Sequence, residues 1–219
     1  MIFALSHCFS GRYERLEQSN VILLKTIAEL VECRDDVTGG HIERTSKGVE
    51  ILLDNIVKNG IYREETKAID FNLLIQSCQL HDVGKISIND SVLKKPGKLN
   101  FDEFEEMKNH TRFGKQILEK VEALVKENEF LEYAKIFAVA HHEKWDGSGY
   151  PDGKKGQEIP LLGRIMAIVD VYDALTSVRP YKKAYTHEEA VKIIIDGSGT
   201  HFDPELVKMF IGIAEKFKE

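Results

Sequence analysis

Residues 69–85 read IDFNLLIQSCQLHDVGK. Ile69, Phe71, Leu73, Leu74, Ile75, Cys78 and Leu80 put apolar side chains on several sides of a helix running from about Ile69 to Leu80. A surface helix carries one apolar stripe, so a helix apolar on several sides belongs at the centre of its domain. Its end is polar: His81-Asp82, just before Gly84. A carboxylate is unfavourable beside the negative end of a helix dipole, and a metal cation there removes the objection.

Helices extend in both directions from this one. Upstream, Leu16, Val21, Leu23, Leu24, Ile27, Leu30 and Val31 predict a long helix from Leu16 to about Arg34, broken by Gly39-Gly40. A second helix starts near His41, carries Ile42, Val49, Ile51, Leu52, Leu53 and Ile56, and closes at Asn59-Gly60. Downstream, Asn100 with Glu103 forms a capping-box pattern that opens a helix over Phe101–Asn109. Further helices are expected over Arg112–Lys126, Phe130–His142 and Leu162–Ser177. Thr186 with Glu189 caps the next, and Asp203-Pro204 reads as N-cap and N1 proline of the last. Residues 144–160, KWDGSGYPDGKKGQEIP, form a long Gly/Pro-containing loop, and long ordered loops are often functional. No alternating strand pattern is found. The expected fold is all-α, with residues 1–15 an N-terminal appendage or linker and 16–219 one helical domain.

Composition narrows the function. A chain of 219 residues buries roughly 70% of its unfolded surface and needs no staples. Its net charge of −6 argues against polymeric nucleic acid, which is bound through many Lys/Arg–phosphate contacts. No apolar run approaches the ~20 residues of a membrane span, and Met1–Phe9 lacks the basic start and apolar stretch of a signal peptide. Cys8, Cys33 and Cys78 form no CxxC pair, so the expectation is reduced thiols in the cytoplasm and no thiolate metal site.

The histidines carry the chemistry. His7 lies in the appendage, and His187 and His201, near helix starts, read as surface or structural residues. His41, His81, His110, His141 and His142 each lie beside a structural break. Two adjacent pairs make the pattern harder to dismiss: His81-Asp82, and His141-His142 before Glu143. Imidazole and carboxylate suit Fe, Mn, Ni or Zn. Adjacent helical residues point about 100° apart, so a carboxylate beside a histidine can turn to a second ion. Two ions so bridged acidify a water and hold a phosphate for in-line attack. Asp170 and Asp173 share one face of the apolar stretch RIMAIVDVYDALTS, residues 164–177. Carboxylates there need a partner or a metal; pairing with Arg179 or Lys182 is an alternative for Asp173.

Six motifs then define a resemblance: TGGHIER (38–44), HDVGK (81–85), HTRFG (110–114), HHEKWDGSGYP (141–151), DVYDALTSVRPYKKA (170–184) and THFDP (200–204). From about Leu16 to Lys218 the chain resembles the HD-GYP proteins, a branch of the HD superfamily of metal-dependent phosphohydrolases. The resemblance implies an HD-type helical domain with a GYP loop. It also implies hydrolysis of cyclic di-GMP to linear pGpG, and onward to GMP in some members, through a hydroxide bridging two divalent ions, Fe or Mn first and Ni or Zn next. It makes His41, His81, Asp82 and Asp170 ligands of one metal and His110, His141 and His142 ligands of the second, with Asp82 shared. Lys85 is implied to contact the scissile phosphate, Tyr150 a substrate phosphate, and Arg179 and Lys182 phosphate or guanine; Asp82 and Lys85 are the catalytic pair. Some members bind a third metal through a Glu four residues before the first motif histidine; here that position is Val37, so two metals and a pGpG product are expected. Implied partners are a sensor domain upstream and a diguanylate cyclase contacting the GYP loop. The alternatives are a catalytically weak cyclic-dinucleotide-binding or protein-interaction module, and a mixed cyclic GMP-AMP substrate.

Overall fold

The computed structural model describes residues 22–35, 39–125, 128–178 and 183–218. Residues 22–34 form α1. Then come α2 (His41–Asn59), α3 (Arg63–Thr66) and α4 (Phe71–Ser77), which tightens into a 3-10 turn, Cys78–Leu80. A second 3-10 turn, Val83–Ser87, leads to α5 (Asp90–Leu93), α6 (Phe101–Lys108), α7 (His110–Glu122) and α8 (Glu129–Ala140). The loop after α8 contains a 3-10 turn, Gly156–Glu158, and feeds α9 (Leu161–Thr176), α10 (His187–Asp196), α11 (Pro204–Ile213) and a closing 3-10 turn, Ala214–Lys218. No strand is present among the described residues; an isolated bridge joins Ser198 and Phe202. The fold is all-α, as expected.

α9 is the axis. Leu162, Ile165, Met166, Ala167, Ile168 and Val169 are all buried, so the helix is enclosed on every side, as an all-round apolar sequence requires. It packs against α2, α8, α10 and α11. Gly163 sets the distance to α8: a methyl group there would lie 2.5 Å from Ala140 Cβ and 2.8 Å from its carbonyl oxygen. The two backbones therefore meet where α8 ends and the His141-His142 pair begins. A second apolar cluster, including Ala28, Ile42, Leu80, Val83, Leu118 and Ala138, joins α1, α2, α7 and α8 around residues 78–83. Each fully buried Leu or Val contributes about 1.5–3 kcal/mol.

The expected caps are present at Asn100/Glu103, Thr186/Glu189 and Asp203-Pro204. Several boundaries differ. The helix expected at the centre of the domain is instead a flanking one, with only Leu74 and Ser77 of α4 buried; it starts at Phe71 rather than Ile69, because the Asp70 carboxylate accepts from the N–H groups of Asn72 and Leu73 and so caps it. α7 starts at His110 rather than Arg112 and has its C-cap at Ala123. α8 runs from Glu129 to Ala140, with Asn128 its cap and His141 its C-cap. The start of the first helix and residues 1–15 lie outside the described residues.

Two charged residues of the axis are buried, Arg164 and Asp173, and Arg164 is the structural one. Arg164 donates from Nε to the Ile159 carbonyl (2.9 Å) and from Nη1 to Asp203 Oδ2 (2.8 Å), and its Nη2 pairs with Glu65. The Tyr62 hydroxyl donates to the same Asp203 oxygen at 2.8 Å. This cluster ties α3, the start of α9 and the cap of α11 together. Arg164→Met strands the buried Asp203 carboxylate. The variant is expected to lose about 3–5 kcal/mol, seen in urea as a lower midpoint at an unchanged slope.

Candidate metal centre

Three helix ends converge on one cavity of about 470 Å³. At the end of α4 and its 3-10 turn, His81 Nδ1 sits 2.9 Å from the Cys78 carbonyl. After α6, His110 Nδ1 lies 2.7 Å from the Met107 carbonyl. At the end of α8, His141 Nδ1 lies 2.8 Å from the Phe137 carbonyl. Opposite them, at the start of α2, His41 Nδ1 lies 2.7 Å from Asp173 Oδ2. Carbonyls and carboxylates accept only, so each Nδ1 carries the hydrogen and each Nε2 presents a lone pair to the cavity. His41 Nε2 and His81 Nε2 are then 3.3 Å apart, as are His110 Nε2 and His141 Nε2.

Asp82 stands between the two pairs. Its Oδ2 lies 3.4 Å from His81 Nε2; its Oδ1 lies 3.4 Å from His110 Nε2 and 3.7 Å from His141 Nε2. Oδ1 is buried and has no hydrogen-bond partner among the described residues. An orphaned carboxylate oxygen and two pairs of opposed lone pairs are what a divalent cation would satisfy. Two ligand groups can be drawn: His41, His81 and Asp82, and His110, His141 and His142, with donor atoms within 4.8 Å of one another in each. Asp170 Oδ1 is 3.8 Å from His41 Nε2, on the side of the first group.

The electrostatics distinguish the donors. Burial would lower the His81 imidazole, but Asp82, with Asp170 behind it, outweighs burial and raises it. Burial, reinforced by His142, drives His141 well below the usual imidazole range. Burial, with His110 next, pushes His142 down to about 3. Burial would raise the Asp82 carboxyl, but Lys85 and His81 outweigh it and hold it well below the ordinary range. Burial would also discharge Lys85, yet Asp82 and Asp35 keep it protonated: its Nζ is 2.7 Å from each carboxylate. Tyr150 lines the cavity with its ring centroid 4.7 Å from that of His142, and burial raises its phenol so that it stays a donor.

A family model for the HD domain matches residues 55–206. The chain belongs to the HD domain family. It is 47% identical over 196 residues to a Vibrio cholerae protein named cyclic di-GMP phosphodiesterase, covering 90% of this chain and 40% of that one. It is 37% identical over 202 residues to a 3'3'-cGAMP-specific phosphodiesterase 2 of the same organism, covering 92% of this chain and 36% of that one. The chain thus spans less than half the length of either relative. An HD-GYP-type protein of Bdellovibrio bacteriovorus shares the fold at a TM-score of 0.54 and 18% identity, over 80% of this chain and 52% of that one.

His41, His81, Asp82, Lys85, His110, His141, His142, Tyr150 and Asp170 all line the cavity. Arg179 and Lys182 lie outside the described residues, as do Asp36 and Val37. Asp173 orients His41 and is held by Arg44 (Nε to Oδ1, 2.5 Å); the alternative pairing with Arg179 or Lys182 falls outside the described residues. His201, expected at the surface or in a structural role, lines the cavity. Other residues escaped the sequence reading. Asp35 holds Lys85. Arg34 donates to the carbonyls of Lys85 (3.0 Å), Ile86 (2.7 Å) and Ile88 (2.7 Å), fixing the turn that carries Lys85. Glu143, which follows the histidine pair, turns away and accepts from the N–H groups of Asp152 (2.8 Å) and Lys154 (3.1 Å), pinning the loop. No helix among the described residues is long and apolar enough to cross a membrane.

Gly84 brings Asp82 to His110. A methyl at Gly84 would lie 1.9 Å from the His110 carbonyl oxygen and 2.4 Å from Gly114 N, and backbone cannot step aside as a side chain can. Gly84→Ala is expected to cost about 1–3 kcal/mol or more and to lower divalent-metal uptake per folded chain, read by urea unfolding and by metal analysis of the purified variant.

Proposed function

We propose that this domain is a metal-dependent phosphodiesterase that hydrolyses cyclic di-GMP to linear pGpG. The observation that carries the reading is the Asp82 carboxylate shared between two histidine groups, with one oxygen buried and unsatisfied. Under this reading His41, His81, Asp82 and Asp170 hold one ion and His110, His141 and His142, with Asp82, hold the other. Bound there, divalent iron or manganese, or alternatively nickel or zinc, polarises the scissile phosphate and makes water acidic at neutral pH. The remaining work falls to the chain. The His110, His141 and His142 imidazoles, pushed by burial below the usual range, offer lone pairs. The Lys85 ammonium, kept charged by Asp82 and Asp35, offsets the charge that grows on the phosphate oxygens as the ribose 3′-oxygen leaves. The protonated Tyr150 phenol donates to a phosphate oxygen. Arg179 and Lys182 are assigned to phosphate or guanine.

The names of relatives support the substrate: cyclic di-GMP phosphodiesterases recur among them at 37–47% identity. The 37% identical relative named for 3'3'-cGAMP makes that dinucleotide the competing substrate. Val37, in place of a third-metal glutamate, favours two ions and arrest at pGpG. The same reading places the domain in the cytosol, with its loop 144–160 open to a diguanylate cyclase and a sensor domain upstream as partners.

Anaerobic reconstitution with Mn(II) or Fe(II) should give cyclic di-GMP turnover at about two ions per chain, with pGpG accumulating and 3'3'-cGAMP cut more slowly. The double variant His81→Ala with Asp82→Ala should retain no activity. Full metal loading with intact bound substrate would instead make the domain a cyclic-dinucleotide-binding module. Asp173→Asn keeps the shape but loses the charge that fixes His41. It is expected to weaken metal binding about 10–100-fold in competition with a chromogenic chelator.

A further inference from the structure

One wall of the cavity carries side chains that neither the ligand set nor the Lys85 pair uses. Lys144 and His201 both line it, each half-buried. The His201 ring lies flat on the buried Phe202 ring, with centroids 4.2 Å apart and planes 7° apart. The two residues are clipped together through backbone: Trp145 N–H donates to the His201 carbonyl at 3.0 Å, and Asp146 N–H to the Thr200 carbonyl at 2.8 Å. The buried carboxylate of Glu143 fixes the chain just before Lys144. This is a built wall and not a flexible rim.

Among the described residues the Lys144 ammonium makes no ion pair or hydrogen bond, and neither do the His201 ring nitrogens. Lys85, by contrast, sits between two carboxylates, and Lys135 between Glu122 and Glu132. The two carboxylates nearest to Lys144 in sequence are taken by backbone: Glu143 by the N–H groups of Asp152 and Lys154, and Asp146 Oδ1 by the Ser148 N–H at 2.8 Å. A cation and a neutral imidazole set together in a cavity wall forgo hydrogen bonds that a ligand can supply. The substrate class proposed above has two phosphates on opposite sides of one ring. When one lies at the histidine groups and Lys85, the other still carries a full negative charge into the same cavity and requires a donor of its own.

We propose that Lys144, with His201 beside it, forms the subsite for the phosphate of the cyclic dinucleotide that is not cut. The assignment rests on the phosphodiesterase reading and adds the residues that set its preference for a two-phosphate ring over a simple diester. Lys144 donates to the phosphate oxygens, and His201 donates its one ring N–H to the same phosphate or its ribose.

The metal-loaded chain tests this with two substrates, cyclic di-GMP and the one-phosphate diester bis(p-nitrophenyl) phosphate. Lys144→Ala is expected to raise KM for cyclic di-GMP about 10–100-fold, the worth of a hydrogen bond to a charged group, with a much smaller change in kcat. Its effect on the one-phosphate diester should be several-fold smaller, and Lys144→Arg should recover most of the loss. His201→Phe, which keeps the stack on Phe202, should raise the same KM by a smaller factor. Equal losses on both substrates, or no loss on either, would overturn the subsite while leaving the phosphodiesterase reading in place. A wild-type chain that cuts the simple diester but neither binds nor cuts cyclic di-GMP would overturn the substrate reading and the subsite together.

Discussion

Pairs of imidazole nitrogens 3.3 Å apart, with both lone pairs turned inward, repel one another, and the fold is arranged to hold them there. Three of the four histidines are oriented by their own preceding turn. Each donates Nδ1–H to a carbonyl three or four residues back, His81 to Cys78, His110 to Met107 and His141 to Phe137. Those carbonyls belong to helix ends and already accept one backbone N–H each, from His81, Asn109 and His141, so each ring bonds to the remaining lone pair. That second bond locks the tautomer and aims Nε2 past the helix terminus. Three helices end at the centre, while α2 and α7 begin there at His41 and His110, so the helix dipoles oppose one another and the attraction for a cation rests on the side chains.

Holding this arrangement costs stability. The buried Asp82 oxygen without a partner forfeits about 1–3 kcal/mol by itself, and His141 must give up protonation to stay enclosed. The offset comes from apolar packing that touches the centre only at its edges. α9 is buried all round, and its Gly163 lets α8 approach so closely that His141 has no freedom to back away. Gly84 does the same for Asp82 against α7. Close backbone contact turns a repulsive cluster into a rigid one, which is the preorganisation a metal or phosphate site requires.

Short-range pattern was legible in the sequence, and long-range pairing was not. Apolar period, caps and Gly breaks located most helices, and adjacent His and Asp residues located the ligands, because these signals lie within a few residues of one another. The boundary errors have two sources: at Asp70 and Asn128 a capping residue was missed, and before α7 no cap marks the change. Asn109 makes no side-chain capping bond, so nothing in the sequence separates α6 from α7 at His110. The residues that steady the site are another matter. Asp173 is 132 residues from His41, Asp35 is 50 from Lys85, and Arg164 is 39 from Asp203. One signal was present in part: Asp170 and Asp173 are three apart on α9, and His41 and Arg44 are three apart on α2. Two such pairs on packed helices can meet face to face, but only the structure says that these helices pack.

Glu143 shows how a single residue can join ligand and substrate chemistry. It follows two histidines, yet its carboxylate faces away from the cavity and accepts two backbone N–H groups of the loop. Burial, the leading influence on it, raises its carboxyl from the ordinary value, so its position depends on those hydrogen bonds being kept. Tyr150 N–H meanwhile donates to the His142 carbonyl at 3.1 Å. The loop that presents Lys144 and Tyr150 is thus bonded at both of these points to the segment that presents His141 and His142. Any displacement of the loop therefore strains the histidine segment directly, whereas Lys85, held from α1 through Arg34 and from Asp35, belongs to the opposite wall. A substrate bound between the two walls fixes the distance between them, and the rigidity of each wall is what makes that distance well defined.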